Sequence, residues 1–156
     1  MSNEIIFEAQ SLVERIKTKY PKFVGQIASK ADIIELERKL KTKLPEWFYE
    51  LYTTVPIIDA EFGVQENEPD DDYDGISYMM WGDVNSIIQE CTEYEPGISV
   101  LQDGYIYIAT CSHGSGDPIF INLNTEEPKV FRIYHDDFRN VLLAGSLVDL
   151  FKNAII

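Results

Sequence analysis

The stretch SKADIIELERKLKTKLPEWFYELYTT, Ser29 to Thr54, commits the chain to two consecutive helices before any other element is placed. Ser29 stands where an N-cap belongs and Asp32 follows three residues on. That pairing is a capping box, in which hydroxyl and carboxylate each satisfy an otherwise free backbone N–H. Ile33, Leu36 and Leu40 then recur at helical spacing as one apolar stripe. Pro45 suits the first turn of the next helix, because the N–H it lacks is one that a helix start leaves unbonded anyway; Trp47, Phe48, Leu51 and Tyr52 form its expected core face. Upstream, EIIFEAQSLVERIKTKY places Ile5, Ile6, Leu12, Val13, Ile16 and Tyr20 near helical spacing, with its basic residues late, where the helix dipole favours them. Pro21 ends that helix.

After Pro56 the texture changes. ISYMMWGDV, ISVLQDGYIYIATC, DPIFINL and KVFRIY are rich in β-branched and aromatic residues and are separated by Gly, Asn and Pro, so they read as short strands. DVNSIIQECTEY between them reads as a short helix capped by Asp83, and SLVDLFKNAII as a last helix that starts at Ser146 and presents Leu147, Leu150 and Phe151 to the sheet. Short connections without helical crossovers favour antiparallel pairing. The expectation is an α+β fold, an antiparallel (mixed) sheet with helices packed mainly on one face, in a single domain over residues 1–156. A hydrophobic content of 45% supplies enough apolar material for one such core.

Charge narrows the function. Between Leu44 and Pro128 there is no Lys or Arg, and this segment holds 18 of the 27 acidic residues, so it generates the whole net charge of −14. Such a block repels phosphates and anionic lipid surfaces, which argues against direct nucleic-acid or membrane binding and for a basic protein partner. No apolar run reaches the roughly 18 residues of a membrane span, and the first residues are acidic where a secretory leader is basic, so a cytoplasmic location is expected. Two cysteines, Cys91 and Cys111, make neither a disulfide framework nor a metal-ligand spacing and read as buried thiols.

The densest acidic stretch is EFGVQENEPDDDYDG, with Glu61, Glu66, Glu68, Asp70, Asp71, Asp72 and Asp74 around Pro69 and Gly75. It reads either as a solvated loop or as a binding surface, and Phe62 and Tyr73 favour the second because aromatics supply the buried area that charge alone does not. Asp70, Asp72 and Asp74 alternate as calcium ligands do, yet the glycine and bidentate glutamate of an EF-hand loop do not follow. SHGSGDPIFI, Ser112 to Ile121, offers two alternatives. Cys111, His113 and Asp117 are the pieces of a small hydrolase. Equally, Gly114, Gly116, Asp117 and Pro118 make a tight turn into a strand, with Asp117 bonding its own backbone. A phosphate cradle needs a helix after the glycines, whereas a strand follows. His135 beside Asp136 and Asp137 has no recurring ligand spacing, so no metal or other cofactor is expected, His113 reads as a turn residue and His135 as a strand-end residue.

The order of segments, SKADIIELERKLKTKLPEWFYELYTT, an acidic and aromatic middle, GSGDPIFINL and a terminal SLVDLF, resembles the SUKH superfamily over roughly Ile27 to Phe151. That superfamily includes many bacterial immunity proteins and a fungal regulator of cell-wall assembly. Thr53-Thr54 stands where its members often carry an Asn-Gly turn, and Asn122 where a strand often ends in aspartate. The resemblance implies a non-enzymatic immunity protein that binds a cognate toxin, frequently a nuclease, inside the producing cell, or else a regulatory interaction domain. A nuclease cleft is positive because it attracts phosphate, which suits an acidic inhibitor. The expected partner-binding residues are Glu61, Glu66, Glu68, Asp70, Asp71, Asp72 and Asp74 for steering, with Phe62 and Tyr73 as anchors and Trp81 as a further candidate.

Overall fold

The structure, a computed structural model, describes residues 2–66, 75–112, 117–125 and 127–156. In chain order the elements are α1 (Ser2–Lys19), α2 (Lys30–Leu40), α3 (Glu46–Thr54), β1 (Glu61–Gln65), β2 (Ile76–Trp81), α4 (Val84–Thr92), α5 (Gly97–Leu101), β3 (Tyr105–Cys111), β4 (Ile119–Asn122), β5 (Lys129–Ile133), β6 (Asn140–Ala144) and α6 (Leu147–Lys152). The fold is α+β.

The cap signals act as their chemistry requires. Ser29 Oγ accepts from Asp32 N at 3.1 Å while Asp32 Oδ2 accepts from Ser29 N at 3.0 Å, closing the capping box. Asp83 caps α4 by accepting from Ser86 N, and Ser146 caps α6 by accepting from Asp149 N. Pro45 occupies the cap position of α3 rather than its first turn. Of the expected α3 core face, Phe48, Leu51 and Tyr52 are fully buried and Trp47 packs half-buried against them. Tyr20 falls just beyond the end of α1 and is exposed.

Six strands form one sheet in the order β1-β2-β3-β4-β5-β6, every neighbour antiparallel. Two strands lie in segments without a strand signal: β1 opens the acidic stretch, and β6 is the Leu-rich NVLLA. One expected strand segment is corrected. ISVL forms the short helix α5, and β3 begins only after Gly104.

Register places Phe62, Val64, Met79, Trp81, Ala109, Ile119, Ile121 and Val130 on one face. A bulge between Tyr107 and Ala109 keeps Ile106 on that face as well. Phe151 of α6 closes over it, with ring centroids 6.4 Å from Phe62 and 5.4 Å from Trp81. Tyr107 and Phe120, paired on the reverse face, are buried too, and a side chain added at Gly82 would meet the Tyr107 ring.

Two backbone ties hold the edge of β1. Gly63 and Ile155 exchange N–H···O bonds of 2.8 and 2.7 Å, so residues after α6 pair with the first strand. Arg15 of α1 fastens the same tail by donating to the carbonyls of Phe151 and Ala154, the kind of group left free at a helix end. The loop between α1 and α2 is drawn in by Gln26, which pairs with Ile58. Gly25 lets the chain pass there: at φ 73° a Cβ would sit 2.0 Å from the Pro56 carbonyl oxygen.

Candidate interaction surface

The expected binding residues separate when placed on the fold. Glu61 is exposed at the start of β1. Phe62, one residue on, turns inward and is 1% exposed, and Trp81 is likewise 1% exposed. Phe62 is an expected anchor and Trp81 a further candidate, and both are instead core residues under α6; for Phe62, strand alternation dictates this once β1 is recognised as a strand. Glu68, Asp70, Asp71, Asp72, Tyr73 and Asp74, together with the calcium pattern they carry, lie outside the described residues, as do His113, Gly114 and Gly116.

Glu66 is the third correction. It shares the inward parity of Phe62 and Val64, is 3% exposed, and forms an ion pair with Arg132 of β5 at 2.7 Å. Ser77 of β2 donates a short hydrogen bond to the same carboxylate oxygen. Arg132 lies 3.9 Å from Asp117, which is 1% exposed. Its guanidinium also stacks 4.8 Å over the Tyr134 ring and donates to that hydroxyl at 3.3 Å. A buried carboxylate persists as an ion only with a charge partner and further hydrogen bonds, and here both are present. Glu66 is therefore part of a structural network and not free to steer a partner.

This network also reports the shape of the sheet. From β1 to β5 there are four strand steps, about 19 Å on a flat sheet, more than the two side chains span together. The sheet must curl far enough to bring the Glu66 carboxylate, just past β1, to Arg132 of β5.

Asp117 reaches beyond its own turn. Its Oδ1 accepts from the backbone N–H of His135 at 3.1 Å and meets His135 Nδ1 at 2.6 Å. His135 lies just beyond β5, and the hydrogen bond to Asp117, aided by the charge of Asp136, raises its pKa above the ordinary value. Of the hydrolase candidates, Asp117 is thus engaged with His135, while Cys111 sits half-buried at the end of β3, outside any disulfide. Cys91 is in no disulfide either and is buried, and burial pushes its thiol up to about 11. The reading of both thiols as buried holds for Cys91 alone. Among the described residues no three metal-ligating side chains come together, and no helix is long and apolar enough to cross a membrane.

Sequence reasoning passed over two residues that matter here. Arg132 had a usable signal: it follows Val130 on the inward parity of KVFRIY, and a cation in that position demands a buried acid. Asp59 had none, since its exposed position beside Glu61 depends on a turn visible only in three dimensions.

Residues 27–153 match the SMI1 / KNR4 family (SUKH-1), and the chain belongs to that family. No curated protein and no solved structure matches it. Membership places the chain among toxin-immunity and regulatory interaction domains in general terms.

Proposed function

We propose that this chain is a non-enzymatic immunity protein that neutralises a cognate toxin, a basic nuclease in the first instance, by covering its positive cleft with an acidic surface. The observation that carries the reading is the segment from Leu44 to Pro128, which holds 18 acids and no Lys or Arg. Among the described residues, Asp59, Glu61, Asp83, Glu93 and Asp103 are exposed, and Glu66 and Asp117 are turned inward. An excess of exposed acids of this kind raises the encounter rate with a basic partner and discriminates against acidic ones. Asp70, Asp71, Asp72 and Asp74 add to that field by sequence position, with Glu68 and Tyr73 between and beside them.

The protein serves as bait at low salt in a lysate of its source, and bound proteins are eluted by rising salt. Recovery of one basic protein with nuclease activity that the bait suppresses is the expected result. An acidic partner, or suppression unaffected by salt, would overturn the electrostatic reading. Neutralising Asp70, Asp71, Asp72 and Asp74 together should slow association and flatten its salt dependence without lowering the melting temperature.

A further inference from the structure

A groove of about 480 Å³ opens where the end of α1, the loop after it and the outer side of β1 and β2 meet. Its volume falls within the roughly 300–1,000 Å³ of small-ligand sites. Four aromatic residues line it, Tyr20, Phe23 and Tyr78 with the buried Phe62 behind them, and Asp59 and Glu61 are its carboxylates. Both acids are exposed, and among the described residues neither has an ion-pair partner. Among the described residues, Asp59 accepts a neutral hydrogen bond from Gln26 Nε2 at 3.1 Å.

The backbone holds Asp59 there against its own preference. Its φ is 76°, in the left-handed region where glycine is at ease, and its N–H is fixed to the Trp81 carbonyl at 3.0 Å. Two bonds between Gln26 and Ile58 clamp the residue before it. The wall is thus pre-formed, and a ligand need not order it.

Aromatic faces beside unpaired carboxylates are complementary to one chemistry, a delocalised cation on an apolar stem. A guanidinium stacks on a ring while its N–H groups pair with a carboxylate, and it is more weakly hydrated than an ammonium. The protein already shows the first half of this contact at the rim: Lys19 Nζ lies 5.6 Å over the Tyr20 ring while it donates to the Ile156 carbonyl at 2.6 Å.

We infer that this groove receives an arginine side chain of the basic protein partner, with Asp59 and Glu61 pairing the guanidinium and the rings of Tyr20, Phe23 and Tyr78 enclosing its stem. The identity of the donor as a protein partner rests on the immunity reading; the recognition of arginine rests on the groove.

The test uses the blocked tripeptide acetyl-Gly-Arg-Gly-amide and its neutral citrulline counterpart, titrated into the isotope-labelled full chain and followed by amide chemical shifts. Saturable shifts clustered at Tyr20, Phe23, Asp59, Glu61, Tyr78 and Ile155 with the arginine peptide, and absent with citrulline, are expected. The double variant D59N/E61Q should bind about five- to tenfold more weakly. Asparagine tolerates the left-handed backbone, and Tyr20→Ala, at an exposed ring, is a second variant that should weaken binding if the first fails to fold. Shifts scattered over the acidic surface, equal binding of citrulline, or unchanged affinity in both variants would overturn the inference. The two readings also fail separately. A basic partner recovered by the bait and held equally by D59N/E61Q removes the groove and leaves immunity standing; arginine bound in the groove with no basic partner recovered does the reverse.

Discussion

Glu61 opens β1 and Glu66 follows its last residue, yet the two glutamates live in opposite surroundings. Glu61 has the outward parity, is exposed, and looks into a groove whose other charge is a carboxylate. Glu66 has the inward parity, is 3% exposed, and is held by Arg132 and Ser77. An odd or even position on one strand decides between an acid that can meet a partner and one that holds the sheet curled. Acidic density in a sequence therefore overstates the acidic surface, and parity is the correction.

The contrast is most open to breakage at the buried end. Glu66→Ala should cost about 3–5 kcal/mol in urea unfolding, because it leaves the Arg132 guanidinium buried without its nearest carboxylate. Adding Arg132→Met should recover part of that loss; a single-variant loss under about 1 kcal/mol would mean that Glu66 is as dispensable as a surface acid. Between the two glutamates, Phe62→Ala should also cost about 3–5 kcal/mol, as truncation of a buried aromatic does. Were Phe62 a surface anchor, stability would hold and only partner binding would fall.

A smaller effect belongs to the far side of the network. The pKa of His135 is raised above 6.5, chiefly by its hydrogen bond to Asp117. Its contribution to stability is then fully present below that value and is lost as pH rises through the higher folded value. The difference in melting temperature between the wild type and His135→Ala should accordingly shrink as pH is raised from 6.5. A difference that grows with pH would show that the histidine is held neutral. The smallest effect is expected at the open end. Glu61→Gln should move stability by no more than about 0.5 kcal/mol, and its signature should be a flatter salt dependence of partner association.

How far the sequence carried follows from the kind of signal each element sends. Helices α2, α4 and α6 announce themselves because a cap is local: Ser29 with Asp32, Asp83, and Ser146 each bond within their own turn. Strands β1 and β6 were silent, since five residues of EFGVQ or NVLLA alternate too briefly to outvote their composition, and ISVL is stabilised as a helix by context its β-branched residues do not show. Trp81 lies on β2, a segment legible as a strand, and its burial is set by the cover of α6, whereas the misplacement of Phe62 and Glu66 as binding residues follows from the first of these omissions. Without β1 there was no parity to assign. The pairing of Asp117 with His135 and of Glu66 with Arg132 joins residues distant in the chain, and only the curled sheet brings them together.

Because strand order equals chain order, most of the sheet can be assembled hairpin by hairpin as the polypeptide is made. The bond between Gly63 and Ile155 is the exception. Until residues near position 155 emerge from the ribosome, the first strand has a bare edge, so a stretch far downstream in the chain is the one that shields it. On a nascent chain the β1 edge is thus a long-lived place for misplaced strand pairing, and it closes only once that downstream stretch has been made.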